Sequence, residues 1–385
     1  MDQKIEFINE WKSGNFTFQS LCEAFGISRT LGYKLCRRYE AEQENGLLPK
    51  SRAPHRVHNK TLTEVEMAIC DLRLEYKRFG ADKIISILRD DYGMKELPAV
   101  STAHLILKRN GFIKPRKRIR RIIPIKPIFD PEACNEVWSA DFKGHFRTRN
   151  GLYCYPLTIA DSYSRFVFRA KGMLSPSWEV CQTAFTEVFR EWGMPLQLHT
   201  DNGIPFGCAT SLCRLTQLAV WFIELGIEPV YSDPGHPEQN GRHERMHLEL
   251  KGEATRPPAY DLRSQQRKLN DFVHLYNHIR PHDALKKQKP ARVHVRSERS
   301  FPERIREWDY PKEFKERYVC RNGAIRWGHA NWVGVSTALK EKRVGLEEVG
   351  DGIWRVYFRQ KSLGYFDERV RRIQDKQGRS VWNRV

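Results

Sequence analysis

Three short segments, far apart in the chain, each carry a carboxylate in a marked setting. They are Val137-Trp138-Ser139-Ala140-Asp141-Phe142, His199-Thr200-Asp201-Asn202-Gly203 and Gln239-Asn240-Gly241-Arg242-His243-Glu244-Arg245. Three carboxylates that meet can hold two divalent ions. Such a pair activates an attacking oxygen and steadies a leaving one, which is the chemistry of phosphodiester transfer. An all-oxygen donor set selects hard cations, so Mg²⁺ or Mn²⁺ is the expected cofactor, two ions per site.

The surrounding pattern says how the acids could converge. Asp141 ends an apolar strand, Glu136–Phe142, where α/β folds present ligand-binding side chains. Asp201 follows a short strand, Leu196–His199, and Asn202-Gly203 behind it is turn chemistry that stops the strand. Glu244 sits in a helix opening near Asn240-Gly241, after the loop Ser232–Glu238. On that helix residues 244, 247, 248 and 251 share one face. Lys251 thus lies two turns, roughly 10 Å, from Glu244 and could hold a phosphate. His247 could orient a carboxylate, touch DNA, or be a plain surface histidine. Arg245 and the loop residue His236 are further candidates for nucleic-acid contact. Asp161, in Asp161-Ser162-Tyr163-Ser164, reads as the cap of a turn with Ser164.

Composition narrows the partner. The 385-residue chain carries a net charge of +19, which favours a polyanion. No apolar run is long enough to span a membrane, and the N-terminus has no secretory signature, so nucleic acid is preferred over a membrane, and the helix-turn-helix pattern of residues 1–45 makes it double-stranded DNA. The nine cysteines are scattered, without a Cys-x-x-Cys pair. They read as reduced cytosolic thiols and not as a zinc module, which fits a cytoplasmic protein.

The expected fold is multidomain α/β. Residues 1–45 read as a helix-turn-helix. Gly26 suits the turn and Ser28 is an N-cap, leaving Arg29 and Lys34 on the first turns of the recognition helix. A basic linker, 46–61, leads to a second helical unit, 62–115, which reads as another helix-turn-helix, with or without a wing. A second basic linker, 116–132, comes next; Arg116, Lys117 and Arg118 are its densest part and would track phosphates. From 133 to 297 the pattern is three strands, then helix–strand–helix–strand, a mixed sheet with packed helices. Short strands at 315–373, broken by glycine and asparagine, suggest a small β-barrel with a basic surface.

The ordered motifs resemble the DDE catalytic core of retroviral-integrase-like transposases from bacterial insertion sequences. Trp138-Ser139-Ala140-Asp141, Asp161-Ser162-Tyr163-Ser164-Arg165, His199-Thr200-Asp201-Asn202-Gly203 and Pro234-Gly235-His236-Pro237-Glu238-Gln239-Asn240-Gly241-Arg242-His243-Glu244-Arg245 carry the likeness. The resemblance covers roughly 130–295. It implies a ribonuclease H-like core with Asp141, Asp201 and Glu244 as metal ligands, cleavage at element ends, and transfer of the freed 3′-OH into target DNA. It also implies recognition of terminal inverted repeats and a homo-oligomer that holds two ends. One departure is the 42 residues between Asp201 and Glu244, longer than the family's usual spacing; the excess falls near Ser211–Phe222 and reads as a longer helix. The alternatives are a DNA-binding regulator that does not cut, which has no need of three intact acids, and a hydrolase of RNA–DNA hybrids, which has no need of a helix-turn-helix.

Overall fold

The computed structural model describes residues 2–49, 60–113, 130–208, 211–232, 241–328 and 331–375. Arg116, Lys117, Arg118 and His236 lie outside the described residues, as does most of both basic linkers. The chain forms two compact units, Met1–Leu62 and Thr63–Val385.

The first unit is three helices, α1 (Asp2–Ser13), α2 (Phe18–Ala24) and α3 (Arg29–Glu42). Gly26 makes the turn at φ +62°, where a side chain would be strained. The Ser28 side chain accepts from the Leu31 amide and caps α3. Arg29 and Lys34 are both exposed on α3. The unit runs past residue 45, where the linker was expected to begin. Leu47 is fully buried among Phe7, Ile8, Leu21 and Leu35, and Lys4 and Arg38 donate to the carbonyls of Leu47 and Leu48. Its apolar side chain draws the segment back onto the helices, an effect the turn-like Asn45-Gly46 before it and Pro49 after it hid.

In the second unit, α4 (Thr63–Glu75), α5 (Ala81–Asp90) and α6 (Val100–Arg109) share a core of Ile69, Phe79, Ile84 and Ile106. Residues 60–113 contain no strand, so no wing is present there. Leu275 and Ile279 from further along the chain pack on this core, and Lys83 donates to the Pro281 carbonyl at 2.6 Å. The three helices are therefore docked on the segment 275–281.

The central sheet contains β1 (Val137–Phe142), β2 (Phe146–Arg147), β3 (Tyr153–Asp161), β4 (Val167–Met173), β5 (Gln197–Thr200) and β6 (Glu228–Tyr231). The main order is β4-β3-β1-β5-β6. The first three strands pair antiparallel and β1, β5 and β6 pair in parallel. The third strand begins at Val167 and not at Arg165, because Arg165 takes a positive φ of 63° in the turn.

Strand alternation divides the chemistry between two faces. Trp138, Ala140, Leu157 and Ile159 point into one core with α7 (Trp178–Trp192) and α8 (Gln217–Glu224). Ala160, Val167 and Ala170 point to the other face, against α9 (Gly241–Glu253) and α10 (Leu262–His274). Ser139, Asp141 and Thr158 occupy the positions between the first set, so they face α9.

The longer helix expected near Ser211–Phe222 is instead a 3-10 turn, Leu212–Arg214, followed by the eight residues of α8. This helix is apolar on both sides for a reason. Leu218, Trp221 and Phe222 enter the central core. Leu215, Ala219, Val220 and Ile223 enter a second core with Val344, Trp354, Val356 and Phe366 of the C-terminal strands. Those strands do not close a barrel. β7 (Lys315–Tyr318), β10 (Arg343–Gly350), β11 (Ile353–Phe358), β12 (Lys361–Asp367) and β13 (Arg372–Gln374) form an open antiparallel sheet in the order β13-β12-β11-β10-β7. β8 (Ala324–Trp327) and β9 (Asn331–Gly334) form a separate hairpin. The docking helix α8 fills the apolar interior that ring closure would otherwise have to cover. Two of the expected basic surface residues are tied back onto the core domain: Arg359 donates to the Glu224 carbonyl at 2.6 Å and Lys361 pairs with Glu228 at 3.1 Å.

Candidate active site

Parallel register brings the first two acids together. Val137, Trp138 and Ser139 stand opposite Gln197, Leu198 and His199. Continued by two residues, this register sets Asp141 beside Asp201, at one strand spacing of roughly 4.8 Å. Asp201 lies just past β5, and its carboxylate accepts from the Gly203 amide at 3.1 Å. The turn behind it is laced by Asn202, which donates to the Ser232 carbonyl at 2.6 Å and accepts from Arg214 at 2.6 Å.

The third acid comes from α9. Glu244 lies in its first turn, and an open pocket of about 490 Å³ is lined by Asp141, Lys143, Glu244, His247, Leu248 and Lys251. The helix face foreseen from spacing is therefore the face that meets Asp141. Electrostatics gives the same picture. Burial first, and then the Asp201 charge, push the Asp141 carboxyl up to about 7; Glu244 adds to the rise while Lys143 opposes it. Asp201 is also raised by burial. Asp141 and Asp201 close enough to repel, with Asp141 and Glu244 opening on one pocket, fit a hard divalent cation.

Behind the acids is a layer that sequence spacing did not assemble. The Ser139 hydroxyl lies 2.9 Å from His243 Nδ1. Thr158 Oγ1 lies 2.6 Å from His243 Nε2, 2.7 Å from His247 Nε2 and 3.0 Å from the Asp141 carbonyl. His247 Nδ1 stands 3.7 Å from Asp141 Oδ2. His247 is 4% exposed, so it is not a surface histidine. Desolvation lowers His247 to about 3 and holds His243 well below the ordinary imidazole range. The signal available beforehand was Thr158, a hydroxyl inside the run Leu157-Thr158-Ile159, two positions from the partner of Ser139 in β1.

The other candidates fall elsewhere. Arg245 points away from the acids, into a cavity shared with Lys83, Arg165, Arg242 and Arg280. Asp161 caps its turn as expected: it accepts from the Ser164 amide at 2.7 Å, the Ser164 hydroxyl at 2.6 Å and the Asn135 amide at 3.0 Å. Cys134 and His294 approach it within 4.8 Å, but its oxygens already have these partners. The segment 277–282 is structural. Asn277 donates to and accepts from the Val167 backbone at 2.8 and 2.9 Å, and Arg280 pairs with Glu249 at 2.7 Å.

Comparison with known proteins agrees with this architecture. Residues 131–237 and 225–290 each match an integrase core domain family, and residues 3–55 match a helix-turn-helix domain family. The insertion element IS476 uncharacterized 39.2 kDa protein of Xanthomonas euvesicatoria is 26% identical over 231 residues. The match takes in 58% of this chain and 62% of that relative's length. The integrase catalytic core domain of HTLV-2, solved in complex with magnesium, is 16% identical and covers 43% of this chain and 100% of its own, with a TM-score of 0.35. A chain of the simian T-cell lymphotropic virus intasome in complex with PP2A regulatory subunit B56 gamma is 15% identical, and the match covers 82% of this chain and 100% of that one, with a TM-score of 0.37. Likeness at these scores carries no functional weight. These matches make the chain similar to insertion-element proteins that carry a helix-turn-helix domain and an integrase core, in line with the family its motifs resemble.

Proposed function

We propose that this chain is a DNA transposase that cuts at insertion-sequence ends and transfers the freed 3′-OH strand into target DNA. Asp141, Asp201 and Glu244 are its metal-holding acids. The observation that carries the reading is the register of β1 and β5, continued to Asp141 and Asp201, with Glu244 of α9 on the same pocket. Two Mg²⁺ or Mn²⁺ ions held there would activate the attacking oxygen and steady the leaving one. The chain's own residues do the rest. Strand ends fix two carboxylates, the helix supplies the third, and Lys251 on the same face holds a phosphate oxygen beside them. Water attacks the phosphodiester at the element end in the first step and releases a 3′-OH. That 3′-OH attacks target DNA in the second, with one bond formed and one broken each time and no covalent link to the protein.

The division of labour runs along the chain. Residues 1–45, extended to Leu48, read terminal inverted repeats in duplex DNA through Arg29 and Lys34. Residues 62–115 are a second DNA-binding unit. The linker cations Arg116, Lys117 and Arg118, with Arg245 and His236, contact phosphates. Residues 133–297 form a ribonuclease H-like core, and the 315–373 module, an open antiparallel sheet with a separate hairpin, buttresses it. A homo-oligomer brings two ends together in the bacterial cytoplasm. No described helix is long and apolar enough to cross a membrane.

The test is strand transfer with Mg²⁺ or Mn²⁺ on DNA carrying the element's own ends, comparing wild type with Glu244→Gln. Joined products should form with wild type and fall by at least about a thousandfold in the variant, the size expected when charge stabilisation at the reacting phosphate is lost. DNA binding without cleavage or joining by wild type would favour a regulator instead.

A further inference from the structure

The hydrogens around Thr158 can be counted. Its hydroxyl has one hydrogen and two acceptor sites. The Asp141 carbonyl, 3.0 Å away, can only accept, so the hydrogen goes there. Both imidazole Nε2 atoms, at 2.6 and 2.7 Å, must then donate to Thr158. In a neutral imidazole this leaves Nδ1 as a lone-pair acceptor. For His243 that lone pair receives the Ser139 hydroxyl hydrogen at 2.9 Å. For His247 it faces Asp141 Oδ2 at 3.7 Å, and an ionised carboxylate has no hydrogen to offer. Two lone-pair atoms held face to face are stabilised by a positive centre between or beside them, a proton on the carboxyl or a metal ion. Bonds of roughly 2.1 Å to a nitrogen and to an oxygen reach one ion from atoms so spaced. His247 also lines the pocket shared by Asp141, Glu244 and Lys251.

We propose that His247 is a fourth donor of the metal centre, its Nδ1 ligating beside the Asp141 carboxylate. The inference rests on the reading of Asp141, Asp201 and Glu244 as metal-holding acids. Thr158 plays the part that outer-shell groups play for ligating histidines: it accepts the other ring N–H and fixes the tautomer and ring angle. Ser139 holds His243 from behind and His243 fills the second acceptor site of Thr158, so the network has one free direction, toward the pocket. A nitrogen donor among the carboxylates shifts preference from Mg²⁺ toward Mn²⁺.

The test uses the full chain loaded with Mn²⁺ and reads ¹⁴N coupling by pulsed electron paramagnetic resonance. The variants are His247→Gln and Asp141→Asn, with thermal melts to confirm folding. Wild type should show imidazole coupling. His247→Gln, whose amide still donates to Thr158 while offering oxygen to the ion, should bind Mn²⁺ without that coupling and lose about tenfold in Mn²⁺ preference over Mg²⁺. Thr158→Val keeps the ring but frees it, and should weaken Mn²⁺ binding roughly tenfold. Bound Mn²⁺ that Asp141→Asn removes but that shows no ¹⁴N coupling, or a coupling that survives in His247→Gln, overturns the inference and leaves the carboxylate site standing. Mn²⁺ binding that Asp141→Asn does not change overturns both.

Discussion

At the scale of single residues, the site's ionisable groups run in opposite directions with pH. Four histidines, three buried and His282 half-buried, are held neutral chiefly by desolvation: His199 lowered to about 4, His247 and His282 to about 3, and His243 further in the same direction. A base with a depressed folded pKa favours the folded state fully above its unfolded value near 6.5. That contribution fades as pH falls toward the folded value, because the unfolded chain takes up protons the folded one refuses. Asp141 opposes this. Its carboxyl, raised to about 7, gives stability that is complete below about 4 and lost as pH rises to 7. One pKa unit is worth about 1.4 kcal/mol, so four histidines outweigh one or two acids. The metal-free protein should therefore lose thermal stability as pH drops from 6.5 to 4.5, and a melting temperature that holds level or rises across that window would contradict this. The Asp141 component should appear separately: Mn²⁺ should raise the melting temperature more at pH 8 than at pH 6, where protons compete for the carboxylates.

At the scale of elements, α8 is the member whose role exceeds what its sequence announced. Its two faces belong to two cores, so substitutions on them should separate. Ile223→Ala, on the face toward the C-terminal strands, should cost about 2–5 kcal/mol by leaving a cavity, an amount typical of such truncations. It should also release β10–β12 to hydrogen exchange ahead of the central sheet. Leu218→Ala, on the other face, should lower the protection of β1 and β5 instead. Identical exchange patterns for the two variants would mean that the cores unfold as one. This element also marks the limit of what the sequence made legible. The acids, the helix face of Glu244 and Lys251, the Ser28 cap and the Asp161–Ser164 turn all depend on local spacing, and they stand where that spacing put them. The open sheet, the returning Leu47 and the short α8 depend on burial against distant residues. An apolar run such as Leu218–Ile223 reads the same whether it meets one core or two. The histidine layer was hidden for a related reason. His243 and His247 share a helix with Glu244, but the hydroxyls that orient them come from strands 104 and 85 residues away.

At the scale of the whole molecule, the net charge of +19 supplies attraction to any DNA, and the arrangement of cations must supply discrimination. Phosphate contacts neutralise charge and release counterions whatever the sequence, whereas base contacts in the major groove discriminate. Arg29 and Lys34 stand exposed on the helix that Ser28 caps, while Lys251 stands on the pocket of the acids. The two groups should therefore fail differently. Arg29→Ala with Lys34→Ala should abolish most of the preference for element ends over random duplex DNA, about 1–3 kcal/mol for each lost base contact. Non-specific binding should remain, with a shallower dependence on salt. Lys251→Ala should keep the end preference and lose joining, because its partner is a phosphate beside the acids and not a base. Binding titrations on both DNAs across a salt series, read beside strand-transfer yields, measure both effects. Unchanged end preference in the double variant would move recognition off α3. Lost end preference in Lys251→Ala would mean that the catalytic pocket itself reads the sequence, and the separation of recognition from chemistry along this chain would have to be given up.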